Sequence, residues 1–376
     1  MSLNEEESVA EPELRVASNS KPTPSAAAAT PTPCDVPGWS PDNMLLVTGA
    51  SGLVGSHVVD WAIRNGVRVR ALVQNSSEHR LLRAWGADVA FASITHPFDL
   101  KAALRSVTHV VHCAAKVADW GREEQFHDVN VKALEGFLEV ARETPTVQRF
   151  VHLSSLGVHA PQDHFGTDES APIDAERGFN AYSRSKAAGE LALKQFARRE
   201  KLPAVVLRPG YVYGPRDRHV IPQLLAAVQK GRLFYVGEGD QVLHNTYVGN
   251  LVDAIVLSLT SPAAVGGTFQ ITDGQLLTRQ EFFETVAAVA NCSPPQRHVS
   301  WNTAWRTATA LETVWRFIGI DSPPPLTRGM VQFLGRNLEF SIKKARNVLG
   351  YNPRFEPLTS LRSTVEWCLT GGKKRK

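Results

Sequence analysis

Tyr182 and Lys186 stand four residues apart in the stretch NAYSRSKAAGE, residues 180–190. Four residues along a helix put two side chains on one face, about one turn apart. A protonated lysine beside a tyrosine stabilises the phenolate and draws its pKa down from about 10 toward neutrality. A tyrosine tuned in that way exchanges a proton with an alcohol or carbonyl oxygen. Hydride transfer needs that service, because a hydride leaves carbon while a proton leaves oxygen. The bare Tyr-x-x-x-Lys spacing is common by chance, so the surrounding elements decide what it means.

A second set of residues is VTGASGLVGSH, residues 47–57. It follows the apolar run MLLV and opens LVGSHVVDWAIRNG, whose apolar positions recur at helical spacing up to Gly66, a C-cap residue. Gly49, Gly52 and Gly55 allow a tight turn and close approach of the backbone to a pyrophosphate, and the helix N-terminus adds free N–H groups. Ser51, Leu53 and Val54 complete the expected cofactor loop. The spacing is GxxGxxG rather than the GxGxxG of the dinucleotide fingerprint. Where the second strand ends, an acid grips the ribose of NAD and an arginine suits the 2′-phosphate of NADP. This chain has ALVQNSSEHR there. Gln74 offers no carboxylate and Arg80 is close by, so NADP(H) is favoured, with NAD(H) as the alternative.

The elements that must position these residues alternate. VRVRALV, VTHVVHCA, VQRFVHLSS and LPAVVLRP read as short strands, with helices over roughly 97–106, 122–143 and 180–201 between them. That order predicts an α/β fold: a doubly wound, parallel Rossmann sheet over residues 43–215, with GGTFQIT returning as a strand near 267–272. Residues 216–370, with helices near 219–230 and 278–291, read as a smaller, mostly helical C-terminal substrate lobe. Residues 1–42, rich in Pro, Ala, Ser and Thr, predict a disordered tail. Residues 371–376 form a basic tail, GKKRK preceded by glycine.

Composition excludes some classes. The chain has 376 residues, 43% hydrophobic and 21% charged, with a formal net charge of +4. No basic stripe with interleaved aromatics argues for nucleic acid. Cys34, Cys113, Cys292 and Cys368 are far apart and form no metal-ligand spacing. They read as reduced thiols, which points to the cytoplasm. No apolar run is long enough to span a membrane.

With these motifs in view, the chain resembles the extended short-chain dehydrogenases/reductases over roughly residues 44–370. The resemblance rests on TGASGLVG, CAAK, HDVNVKALEGFLEVA, LSSLGVH, YSRSK and LRPGYVYGPRD. Within that superfamily it is most similar to the 3β-hydroxysteroid dehydrogenase group. AAKVADWG, YVGNLVDA and PPLTRGMVQFLGRNLEFSIKKARNVLGYNPRF look closest to sterol dehydrogenases and bacterial 2-alkyl-3-oxoalkanoate reductases.

The resemblance implies roles. Tyr182 is the general acid/base and Lys186 its partner. Ser155 hydrogen-bonds the substrate oxygen, with Ser154 as runner-up. Asn130 holds the helix and a water relay behind the lysine. Ala114, Ala115 and Lys116 pass under the cofactor, and Pro209, Gly210 and Val212 pass the nicotinamide. Two departures stand out: FASI, with Ser93, replaces the usual GDL after the third strand, and His159 stands where relatives often have tyrosine.

On the substrate side, VSWNTAWRTATALETVWRFIGI places Trp301, Trp305, Ala308 and Trp315 roughly on one helix face. Such a face is either lobe core, the wall of a pocket for a greasy ligand, or a surface that touches a membrane. The resulting expectation is an NAD(P)-dependent oxidoreductase. It interconverts a secondary alcohol and a ketone on a hydrophobic molecule, either a 3β-hydroxysteroid or sterol or a 2-alkyl-3-keto acid. The alternatives are a nucleotide-sugar epimerase or dehydratase on the same fold, and a non-catalytic NAD(P)-binding regulator. A homodimer and a peripheral membrane contact are the expected partners besides the substrate.

Overall fold

Short apolar runs buried on both faces form all but one strand of the central sheet, an edge strand whose Asp88 and Phe91 are exposed. The computed structural model describes residues 36–74 and 79–371. Seven strands pair: β1 (Leu45–Thr48), β2 (Val69–Val73), β3 (Asp88–Phe91), β4 (His109–His112), β5 (Arg149–Leu153), β6 (Ala204–Pro209) and β7 (Thr268–Ile271). Their order is β3-β2-β1-β4-β5-β6-β7, and every pairing is parallel. This is a Rossmann-type sheet, and β7 is the strand expected from GGTFQIT. The order reverses between β1 and β4, and ligands of such sheets bind beyond the strands' carboxyl ends at that point.

Helices cover both faces. On one lie α1 (Leu53–Arg64), following β1, and α8 (Val248–Thr260), whose Leu251, Ile255 and Leu259 join Val47 and Val58 in one core. On the other lie α3 (Pro97–Ala103), α5 (Ala133–Arg142) and α6 (Ala181–Glu200), where Leu134, Phe137 and Leu193 pack on Leu46 and Val110. α2 (His79–Ala84) follows β2, and α4 (Glu123–His127) leads into α5 through a wide π-type turn at Asp128–Lys132. α7 (Val220–Gln229) and α9 (Arg279–Val289) share a third core with α12 (Pro357–Leu369). α10 (Trp301–Phe317) and α11 (Arg328–Gly335) enclose a fourth around Ala304, Ala308 and Val331.

One boundary differs from expectation. Trp39, placed by composition in the tail, is buried and packs its ring, tilted by 41°, against His109 with centroids 4.4 Å apart. A tryptophan that finds a core is held by its apolar area, whatever the proline content around it. Residues 1–35 of the expected tail and the terminal KKRK lie outside the described residues. Among the described residues no helix is long and apolar enough to cross a membrane.

Candidate active site

α6 begins at Asn180, whose side chain accepts the Ser183 N–H at 2.9 Å. Tyr182 therefore lies in the first turn and Lys186 one turn further on. Both point toward the end of β5. Lys186 is 4% exposed and donates from Nζ to the Leu153 carbonyl. Two residues on, Ser155 lies close enough to the Tyr182 hydroxyl to oppose the effect of its burial, and its Oγ accepts the Gly157 N–H at 3.1 Å. Its neighbour Ser154 turns away and donates to Glu190 at 2.6 Å. Of the two serines, Ser155 is the one that meets the tyrosine.

The electrostatics differ from the expectation. Burial pushes Tyr182 up to about 12, opposed by the neighbouring Ser155 side chain. A lysine-driven fall toward neutrality is therefore not what this protein shows. Lys186 is turned to a backbone carbonyl, and burying a phenol penalises its anion. Burial also brings Lys186 down to about 8, against the opposing pull of Glu190. Glu190 is itself fully buried and paired with Arg208 at 2.6 Å and Lys194 at 2.6 Å. Arg208 also meets His159 at 3.2 Å, and His159 meets Gln270 at 3.0 Å. His159 is thus a bonded core residue.

Asn130 lies in the π-type turn before α5. Its amide accepts the Lys116 N–H at 2.8 Å and donates to the Lys116 carbonyl at 3.0 Å and to Ser185 Oγ at 2.9 Å. It thereby ties the loop after β4 to α6, next to Lys186 in sequence.

The glycine loop is packed so closely that side chains are excluded. Gly49 has φ +63°, and a Cβ there would come within 2.9 Å of the Ala114 nitrogen. One on Gly55 would lie 2.2 Å from the Gly49 carbonyl oxygen. α1 starts at Gly52 with no side-chain cap, which leaves its first N–H groups to a ligand. Ser51, Leu53 and Val54 are half-buried around it. Ala114, Ala115 and Lys116, also half-buried, leave β4 beside this loop, where the Ala114 N–H donates to Thr48 Oγ1 at 3.1 Å. At the end of β2, Gln74 donates to Ser93 Oγ at 3.2 Å. Arg80 is exposed on α2. Pro209 ends β6, and Gly210 donates to the Ile271 carbonyl at 3.1 Å. Val212 pairs in register with Thr246. A bare glycine turn, an uncapped helix start and a strand end with polar amides fit a dinucleotide.

A cavity of about 630 Å³ opens beside these residues. Asn180 and Ala181 line it; Tyr182, Lys186 and Ser155 do not. Its wall combines Trp305, Trp315 and Ile320 with Asp119, Glu312 and Arg328. Trp301 instead stacks on Trp305, with centroids 5.8 Å apart, and lies under Arg336 at 4.3 Å. The fully inward positions of α10 are Ala304, Ala308 and Glu312. The expected aromatic face is therefore split between core and cavity. Sequence reading missed Asp119, Thr327 and Glu312. Only Thr327 carried a local signal, a threonine just ahead of an apolar helix.

Comparison with known proteins places this geometry. A family model described as "NAD dependent epimerase/dehydratase family" matches residues 45–272. Sterol-4-alpha-carboxylate 3-dehydrogenase erg26, decarboxylating, of Schizosaccharomyces pombe is 30% identical, over 89% of this chain and 99% of its own. The 2-alkyl-3-oxoalkanoate reductase of Stenotrophomonas maltophilia is 26% identical, over 82% and 94%. Among solved structures, that of gox2253 has a TM-score of 0.74 at 25% identity, covering 89% of this chain and all (100%) of that one. UDP-glucuronic acid 4-epimerase from Bacillus cereus, in complex with NAD, has a TM-score of 0.70 at 19% identity, over 88% and 100%, a likeness of fold alone.

Proposed function

The chain belongs to the NAD dependent epimerase/dehydratase family, it is an oxidoreductase like its named relatives, and we propose that it interconverts a secondary alcohol and a ketone on a large hydrophobic molecule. The observation that carries the reading is the convergence of the Tyr182 and Ser155 side chains beside a buried Lys186 that donates to the Leu153 carbonyl. A bound nicotinamide supplies the hydride in reduction and accepts it in oxidation. In reduction, Tyr182 donates its proton to the carbonyl oxygen as the hydride reaches carbon. Ser155 holds that oxygen through its hydroxyl. The Ser155 side chain, which opposes the burial that raises Tyr182, eases the phenolate left behind, and Lys186 is held one turn along α6 on the Leu153 carbonyl. Oxidation runs the same steps backward.

The substrate class follows two supports. The relatives are named for a sterol carboxylate and an alkyl oxoalkanoate, and Trp305, Trp315 and Ile320 give the cavity an apolar side. For the cofactor, Gln74 supports NADP(H): no carboxylate at that strand end repels a 2′-phosphate. Well-separated free thiols at Cys113, Cys292 and Cys368 support work in the cytoplasm.

The test is a panel of hydroxysteroids and 2-alkyl-3-keto acids with NADPH and NADH, followed by absorbance of the reduced nicotinamide. Turnover of a member of the panel is expected. A second reading, a nucleotide-sugar epimerase, is favoured by the arginines Arg122, Arg177 and Arg184 in the cavity wall. Activity confined to nucleotide sugars, with none on the panel, would establish it instead.

A further inference from the structure

We propose that Asp119 is a positioning residue, one carboxylate that holds the helix of Tyr182 and the helix α11 together through their two N-cap side chains. This rests on the role given to Tyr182 above. Asp119 lies in the loop after β4. Its Oδ1 accepts from Asn180 Nδ2 at 2.7 Å, and its Oδ2 accepts from the Thr327 hydroxyl. Both partners are caps. Asn180 accepts the Ser183 N–H at 2.9 Å, and Thr327 accepts the Met330 N–H at 2.9 Å.

The division of labour is complete on each side. Asn180 uses its amide oxygen on α6, which leaves its NH2 needing an acceptor. Thr327 uses its oxygen lone pair on α11, which leaves its O–H needing one. One carboxylate has an oxygen for each. Without it, the Asn180 amide loses what fixes its orientation, and Tyr182 is two residues away. Negative charge near two helix N-termini is also favourable.

The surroundings keep Asp119 on this task. Gly329 comes so close that a Cβ there would lie 2.5 Å from Oδ1, so α11 is seated against the carboxylate. Arg328, the nearest cation on α11, is engaged elsewhere: Glu312 accepts its Nε–H at 2.8 Å and its backbone N–H at 2.6 Å. Arg184 of α6 is paired with Glu123 at 2.8 Å. Arg316 of α10 lies 4.0 Å from Glu312. Asp119, Asn180, Glu312, Arg328 and Gly329 all line the cavity. The junction is therefore a wall of the space next to Tyr182. Burial, with the Glu312 charge adding to it, holds the Asp119 carboxyl above its usual range, and the bonds from Thr327 and Asn180 oppose this. Protonation removes an accepting oxygen and frees one cap, so kcat should carry an acid limb from this group.

The experiment compares full-length wild type with Asp119→Asn, Asp119→Ala and Thr327→Val. Hydrogen exchange reads the caps without reference to activity. The amides of Ser183 and Met330 should exchange about tenfold faster in Asp119→Ala, in line with the worth of a cap. Thr327→Val should affect Met330. With a substrate from the panel above, Asp119→Asn should lower kcat about tenfold, leave the cofactor KM unchanged and lose the acid limb. A merely structural aspartate would lower Tm and leave kcat and the limb intact, and that result overturns the proposal, as does unchanged exchange at Ser183. If Asp119→Ala does not fold, Asp119→Asn decides. If the wild type transfers no hydride, the oxidoreductase reading has failed, and exchange at Ser183 and Met330 still settles whether the clamp exists.

Discussion

Ser155 lies beside the Tyr182 hydroxyl and draws its pKa down against burial, while Ser154, one residue earlier, is spent on Glu190. If Tyr182 is the acid/base group, as proposed, a hydroxyl beside it is placed to meet the oxygen it serves. We expect Ser155→Ala to lower kcat on a ketone substrate by about 100-fold to 1,000-fold, since one donor to the reacting oxygen is lost. Ser154→Ala should instead lower Tm, because a fully buried Glu190 loses a donor. Steady-state kinetics and thermal melts of the pair check this. Equal kinetic effects would remove the distinction between them.

Gln74 and Ser93 are joined at the end of the second strand at 3.2 Å. Gln74→Asp places a carboxylate where a 2′-phosphate would approach. We expect the ratio of NADPH to NADH affinity to fall by at least about tenfold, from like-charge repulsion. Fluorescence titration of both cofactors measures it. A wild type that clearly prefers NADH would contradict the NADP(H) assignment.

Trp305 lines the cavity and stacks on Trp301. Removing apolar wall costs a ligand about 25 cal/mol per Å² it had buried there. We expect kcat/KM to rise with apolar size across substrates of one reacting group. Trp305→Ala should reduce that rise while leaving the smallest substrate nearly unchanged. A loss of Tm with the size dependence intact would make the residue core alone.

Buried histidines make stability depend on pH. Burial, with Lys186 adding to it, brings His112 from 6.5 down to about 3. Burial likewise brings His109 down to about 4 and His159 to about 3. The unfolded chain binds these protons first as pH falls. The stability they confer is therefore present above 6.5 and is lost between 6.5 and about 3. His112 alone should contribute a loss of about 2 kcal/mol between pH 7 and 5. Denaturant unfolding at several pH values checks this, and His112→Asn should flatten the slope.

The sheet was legible because its strands are short, continuous apolar runs between helices of regular period, such as MLLVT before the glycine loop. The placement of Tyr182 and Lys186 one turn apart was legible because it lies in local helical spacing. The electrostatics were not. Whether Tyr182 is lowered by its lysine or raised by burial depends on how deeply β5 and α6 pack, which spacing does not state. Nor was Asp119, since its partners are 61 and 208 residues away. The aromatic face of α10 misled in part, because Trp301 found Arg336 and a core, while Trp315 turned to the cavity.

The central claim is that Tyr182 is the group that moves the proton. Phenylalanine keeps the ring and removes the hydroxyl, so Tyr182→Phe isolates that atom. The measurement is single-turnover reduction of the best ketone substrate by wild type and Tyr182→Phe, each saturated with reduced cofactor, alongside cofactor titration. The account expects the hydride-transfer rate to fall by at least about 100-fold, typical of a lost general acid, with cofactor affinity unchanged. A variant that transfers hydride at near the wild-type rate would contradict it.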